Sequence, residues 1–120
     1  MQRVTGIGGV FFRAKDPGAL AQWYLEHLGI NLVPQDAEGA PWVTEAGVTV
    51  FSPFAADTDY FRAESQFMIN FRVADLAAMC AQLEAAGIET FNHSEMERIG
   101  KFAHLHDPEG NPLELWEPAG

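Results

Sequence analysis

At 120 residues and a net charge of −10, the chain holds enough sequence for a single acidic domain, 1–120. Hydrophobic residues make up 48% and charged residues 20%, an ordinary globular balance that argues against disorder. The lysines and arginines are scattered singly, which counts against nucleic acid as a partner, and no apolar run approaches the roughly 18 residues of a membrane span.

The N-terminus carries no basic-then-apolar secretion pattern, and the single cysteine, Cys80, rules out an internal disulfide. Both point to a reducing, cytoplasmic location. Cys80 falls on the apolar stripe of a predicted helix, where packing is its expected role.

In chain order, an apolar strand is predicted near 4–14, ending at Asp16. Asp16 is a natural N-cap with Pro17 at the first helical position, where a missing N–H costs little. Leu20, Trp23, Tyr24 and Leu28 follow at helical spacing, and Gly29 supplies the left-handed stop. Strands are expected near 30–35, 41–46 and 48–52, with turns at Gly39-Ala40-Pro41 and Ala46-Gly47. This β-α-β-β-β unit is module one, 1–53.

Residues 54–65 form the crossover. The stretch is polar and acidic, and its Phe54, Tyr60 and Phe61 either pin the segment to the sheet or line a pocket.

Module two, 66–120, repeats the grammar. A strand near 66–74 runs into Asp75, which caps a helix carrying Leu76, Met79, Cys80 and Leu83 on one face. Gly87 ends that helix. Strands near 88–92, 101–106 and 112–117 complete the unit, the last two joined by the turn Asp107-Pro108-Glu109-Gly110-Asn111-Pro112. Phe-Arg and the terminal Asp stand in matching places in Phe12-Arg13-Ala14-Lys15-Asp16 and Phe71-Arg72-Val73-Ala74-Asp75. A duplicated fold tends to build its pocket between the copies.

Three segments carry a resemblance. They are the strand-Asp-Pro-helix ending in Tyr24-Leu25-Glu26-His27-Leu28-Gly29, its second copy, and Asp107-Pro108-Glu109-Gly110-Asn111-Pro112-Leu113-Glu114-Leu115-Trp116. On these the chain resembles the vicinal oxygen chelate superfamily, which includes glyoxalases, bleomycin-resistance proteins and extradiol dioxygenases. The resemblance implies an α+β fold of two tandem βαβββ modules, with a curled, cup-shaped mixed sheet and the helices outside. Alternation along the strands then sorts the faces. Val10, Phe12 and Ala14, with Ile69, Phe71 and Val73, should face the helices. Gly9, Phe11 and Arg13, with Met68, Asn70 and Arg72, should face the cup.

Metal-dependent members of that superfamily place a ligand on the first and last strand of each module. The corresponding positions here are Gly9, Thr49, Met68 and Glu114, and of these only Glu114 is a competent ligand for Mg, Mn or Zn. No metal is therefore favoured. A divalent ion (Zn, Ni, Mn or Fe) stays open, because symmetric pairing of the final hairpin sets His104 across from Glu114 with His106 two residues on.

The alternatives for that pair are an imidazole simply hydrogen-bonded to a structural Glu114, or catalysis. In the catalytic reading Glu114 is a general base, its pKa raised by burial among Phe11, Met68, Phe102 and Trp116, and His104 orients it or shuttles its proton. Arg13 and Arg72 occupy equivalent positions and either flank the cup mouth to bind an anion or pair with surface carboxylates. The residues Glu95 to Gly100 read as a polar loop that is either a cover for the pocket or plain loop.

By resemblance, the leading expectation is a small-molecule-binding protein of the bleomycin-resistance kind, acting as a homodimer. Its ligand would be held by Phe11, Arg13, Thr49, Phe51, Met68, Asn70, Arg72, Phe102, His106 and Trp116. The alternative is a lyase, isomerase or dioxygenase-type enzyme using Glu114 with His104.

Overall fold

The computed structural model describes residues 1–33 and 39–120. The strand expected near 30–35 lies partly outside the described residues. Helix α1 spans Pro17–Leu28 and helix α2 spans Leu76–Ala85. The strands are β1 (Ile69–Arg72), β2 (Phe91–Met96), β3 (Gly100–His106) and β4 (Pro112–Pro118).

Both helices begin as their sequences dictate. Asp16 accepts the Ala19 N–H at 3.1 Å, and Asp75 accepts the Ala78 N–H at 2.9 Å. Gly29 ends α1 at φ 70°, a left-handed conformation that lets its N–H and that of Ile30 reach back to the carbonyls of Leu25 and Tyr24.

The four strands form one mixed, curled sheet in the order β1-β4-β3-β2. The pair β1–β4 is parallel, and the other two pairs are antiparallel. One face of β3 and β4 presents Ala103, Leu105, Leu113 and Leu115, all buried, against Leu76, Cys80 and Leu83 of α2. Leu20 and Tyr24 of α1 join the same core, with Ile69, Phe71 and Val73 packed on it as alternation requires. The sheet therefore has its helices on one side and a concave polar face on the other.

Two residues of the hairpin turn moor α1. The Tyr24 hydroxyl donates to Asp107 at 2.7 Å in a buried contact, and Glu109 accepts the N–H groups of Lys15 and Asp16 at 2.6 and 3.0 Å. Asp107 also accepts the N–H groups of Glu109 and Asn111, which closes the turn on itself. The Asp-Pro-Glu-Gly-Asn-Pro motif is thus a dock for the first helix as well as a turn.

The strands expected near 4–14, 41–46 and 48–52 carry no ladder. Residues 1–15 and 40–54 make no backbone-to-backbone hydrogen bond among the described residues. The alternation there is genuine, but a strand is defined by its neighbour, and no described segment pairs with these residues. Phe12 and Ala14 reach the core, whereas Val10 stays exposed. The radius of gyration is 15.3 Å, against roughly 14 Å for a compact chain of this length.

Two smaller differences have local causes. The strand expected at 88–92 starts at Phe91, because Ile88 is spent closing α2 through its N–H to Leu83. Glu95 and Met96 belong to β2, and the residues to Gly100 form a tight turn closed by Ile99 N–H to Met96 rather than a cover.

Candidate functional site

Sheet register builds the site. Strand β4 lies between β1 and β3, so Glu114 stands beside Asn70 on one side and His104 on the other. All three side chains project from the face opposite the leucines. Glu114 and His104 are each only 6% exposed.

The carboxylate of Glu114 accepts three hydrogen bonds. Asn70 Nδ2 donates to Oε1 at 2.8 Å, His104 Nε2 lies 2.8 Å from Oε2, and the Tyr60 hydroxyl donates to that same Oε2. With Nε2–H directed at the carboxylate, His104 keeps Nδ1 as an acceptor, and Asn92 Nδ2 meets it at 3.2 Å. Asn92 is aimed there by a register shift between Phe91 and Ser94, where it adopts φ 52°.

Burial pushes the Glu114 carboxyl up, but the hydrogen bonds from His104, Tyr60 and Asn70, with attraction to His104, outweigh it. The net direction is downward, so the expectation of a raised pKa at Glu114 is overturned. Its surroundings differ as well: Phe11 is 95% exposed and far from any burial. A carboxylate with its charge stabilised and both oxygens occupied is a weak general base. Desolvation, together with the neighbouring Glu114, pushes the Tyr60 hydroxyl up to about 12, so Tyr60 is a standing proton donor to that carboxylate.

A cavity of about 520 Å³ opens beside this cluster. The crossover forms one wall through Asp57, Tyr60 and Phe61, and the sheet forms the other through Phe91, His104 and His106. Ring contacts line it: Tyr60 meets His104 edge-on at 5.1 Å, and the Phe91 and His106 rings lie tilted at 5.2 Å. Met68 also borders the cavity.

The remaining sequence candidates divide. Phe102 stacks on Trp116 at 6.2 Å with the planes 4° apart, further along the same face, and the indole N–H donates to Ile99 O at 2.9 Å. Arg72 donates to the Glu45 carbonyl at 2.9 Å rather than to an anion site or a surface carboxylate, and so holds the 45–47 turn near β1. Arg13, Thr49 and Phe51 are exposed, with Phe51 87% accessible, and none joins the cluster. Module one therefore contributes none of its expected ligand-binding residues to the cup of its own chain.

Asn92 is the member that sequence reasoning missed. Tyr60, which the sequence offers as either a pin for the crossover or a pocket-lining ring, does both. Asn92 is reached only through a bulge, which no pattern in the sequence announces.

Glu114 and His104 are the cluster's potential metal ligands, and in this structure they bond to each other. Glu114 and His104 direct their lone pair and proton at each other, and their outer atoms are taken by Tyr60, Asn70 and Asn92. Among the described residues no group of three His, Cys, Asp or Glu side chains could hold an ion. The positions matching Gly9 and Thr49 lie exposed and outside the cluster.

Residues 9–116 match the Glyoxalase-like domain family. Comparison with curated proteins gives no match. Among solved structures, the chain is similar to an antibiotic binding protein from Streptomyces sp. CB03234, at 20% identity and a TM-score of 0.67, covering 99% of this chain and 100% of that one. A lactoylglutathione lyase from Agrobacterium tumefaciens is similar at 21% identity and a TM-score of 0.63, covering 97% and 96%. A glyoxylase/bleomycin resistance protein/dioxygenase domain from Frankia sp. EAN1pec is similar at 17% and 0.63, covering 98% and 100%. At these identities the likeness is one of fold.

Proposed function

The chain belongs to the glyoxalase-like domain family, and from that premise we propose that it binds a small organic molecule in the cup without a metal, as a cytoplasmic homodimer. The observation that carries this is the cavity of about 520 Å³, whose lining brings Phe61, Met68 and Phe91 together with Tyr60, Asn92 and His104 of the hydrogen-bonded cluster. Ligand sites have that composition: mostly apolar walls with a few fixed polar groups for orientation. The Streptomyces relative's description as an antibiotic binding protein points the same way.

Support for the metal-free part comes from the saturated hydrogen bonding of Glu114 and His104. Support for the homodimer comes from module one, whose Phe11, Val43, Val48, Val50 and Phe51 are exposed on segments without a ladder. Exposed apolar residues on unpaired extended segments favour burial against a partner, and a second copy is the proposed cover. The lone, buried Cys80 suits a reducing compartment. No helix among the described residues is long and apolar enough to cross a membrane.

The test is a thermal-shift screen of aromatic compounds followed by calorimetry, with and without chelator. Binding should survive the chelator and weaken in Glu114→Ala. Tight binding of Zn, Ni, Mn or Fe that disappears in both Glu114→Ala and His104→Ala would overturn the metal-free part. Light scattering should give twice the 13.2 kDa chain mass.

A further inference from the structure

Tyr60 is an unusual member of its cluster, because it comes from the crossover and not from the sheet. The residue is 41% exposed, yet its hydroxyl reaches the buried Glu114 carboxylate and shares Oε2 with His104 Nε2. The ring meets His104 edge-on, at 5.1 Å and 82°. Phe54 leans on it from behind at 5.5 Å.

The segment carrying Tyr60 is held lightly. Short local bonds shape it, from Thr58 N–H to Ala55 O and from Tyr60 N–H to Thr58 Oγ1. Its tie to the hairpin is Arg62 Nη1 donating to Gly110 O at 2.7 Å, an exposed contact. Withdrawing Tyr60 would lengthen the cavity down to the carboxylate without disturbing the leucine core.

Taken as a molecule in its own right, the Tyr60 side chain is a phenol bound in a cup. A carboxylate accepts its hydroxyl proton, an imidazole flanks its ring, and the cavity continues beyond it with room for further rings. We propose that Tyr60 is a built-in plug, and that the ligand displaces it by presenting a neutral aromatic hydroxyl of its own to Glu114 and His104. This rests on the reading that the cup binds a small molecule, and it names that molecule's class as phenolic.

The chemistry favours this class over its neighbours. A phenolate meets repulsion from the ionised Glu114, and an aryl ether offers no proton, leaving a buried acceptor oxygen short of a partner. A tethered phenol also competes at high effective concentration, so native affinity for a simple phenol is suppressed by the plug.

The experiment titrates the full-length chain and its Tyr60→Ala variant with 4-methylphenol and with 4-methylanisole, which keeps the ring and loses the donor. Tyr60→Ala should bind 4-methylphenol at least about tenfold more tightly than the unaltered chain does, since a competing tether is gone. It should prefer 4-methylphenol over 4-methylanisole by at least about tenfold, the equivalent of one hydrogen bond to a charged acceptor. Adding Glu114→Gln should erase that preference. Equal binding of the two compounds, or no gain over the unaltered chain, overturns the proposal.

Tyr60→Phe guards against loss of fold. It keeps the ring, and it should gain affinity for 4-methylphenol over the unaltered chain because Oε2 has lost a donor; unchanged affinity counts against the plug. A chain that binds a non-phenolic compound while Tyr60→Ala ignores 4-methylphenol sinks this inference alone. A cup that takes no compound in any variant sinks the reading beneath it as well.

Discussion

The two halves of this chain start from the same instructions and reach different ends. Asp16 and Asp75 cap their helices through the same contact, to the N–H three residues on. Around Asp75 the flanking segments close into a four-stranded sheet over buried leucines. Around Asp16, residues 1–15 and 40–54 carry no ladder among the described residues, and Phe11 and Phe51 face solvent. Local code is therefore enough for a helix, whose hydrogen bonds lie within the segment. A strand needs its neighbour delivered by the rest of the fold, and among the described residues the second half delivers one.

The largest effect should come from the half that closes on itself. Leu115→Ala empties a fully buried position and should cost about 2–5 kcal/mol in urea unfolding, independent of protein concentration. Phe51→Ala in the other half should act through assembly, shifting the scattering mass toward one chain, with little change in the far-ultraviolet signal. An equal, concentration-independent loss in both variants would break the contrast between the halves.

Next in size is the mooring between them. Tyr24→Phe removes the buried donor to Asp107 and should cost about 1–3 kcal/mol, with hydrogen exchange rising first across α1. If α1 stays protected, the turn is not the dock it is taken to be.

The caps sharpen the comparison further. Asp16→Ala and Asp75→Ala should each lose about 1 kcal/mol, because the two contacts are equivalent. A cap that matters only in α2 would mean that α1 is folded by docking alone.

The last effect is read as a slope. Glu114 has a depressed pKa in the folded state, so its stabilisation is fully present above its unfolded value, about 4.3. It is lost as the pH falls through the lower, folded value. Glu114→Gln should flatten this acid limb of the melting temperature against pH. An unchanged limb would assign acid sensitivity to other carboxylates.

Much of the second half was legible from residue pattern. Asp75, the helical stripe and the Asp107–Pro112 turn place β3 and β4 in register, and that register is what sets His104 opposite Glu114. Glu114's electrostatics were not legible. Burial alone argues for a raised pKa, and the opposite result comes from His104 together with Tyr60 and Asn70, the last two 54 and 44 residues away.

Capping residues, helical periodicity, turn chemistry and the face each β-residue takes are contacts within a few positions, and the amino-acid sequence determined them by itself. Which extended segments acquire neighbours, and which distant donors converge on one carboxylate, depend on how the chain closes in space. The tertiary structure decided those: it paired the strands of the second half into one sheet, and it lowered Tyr60 from a linker into the cup.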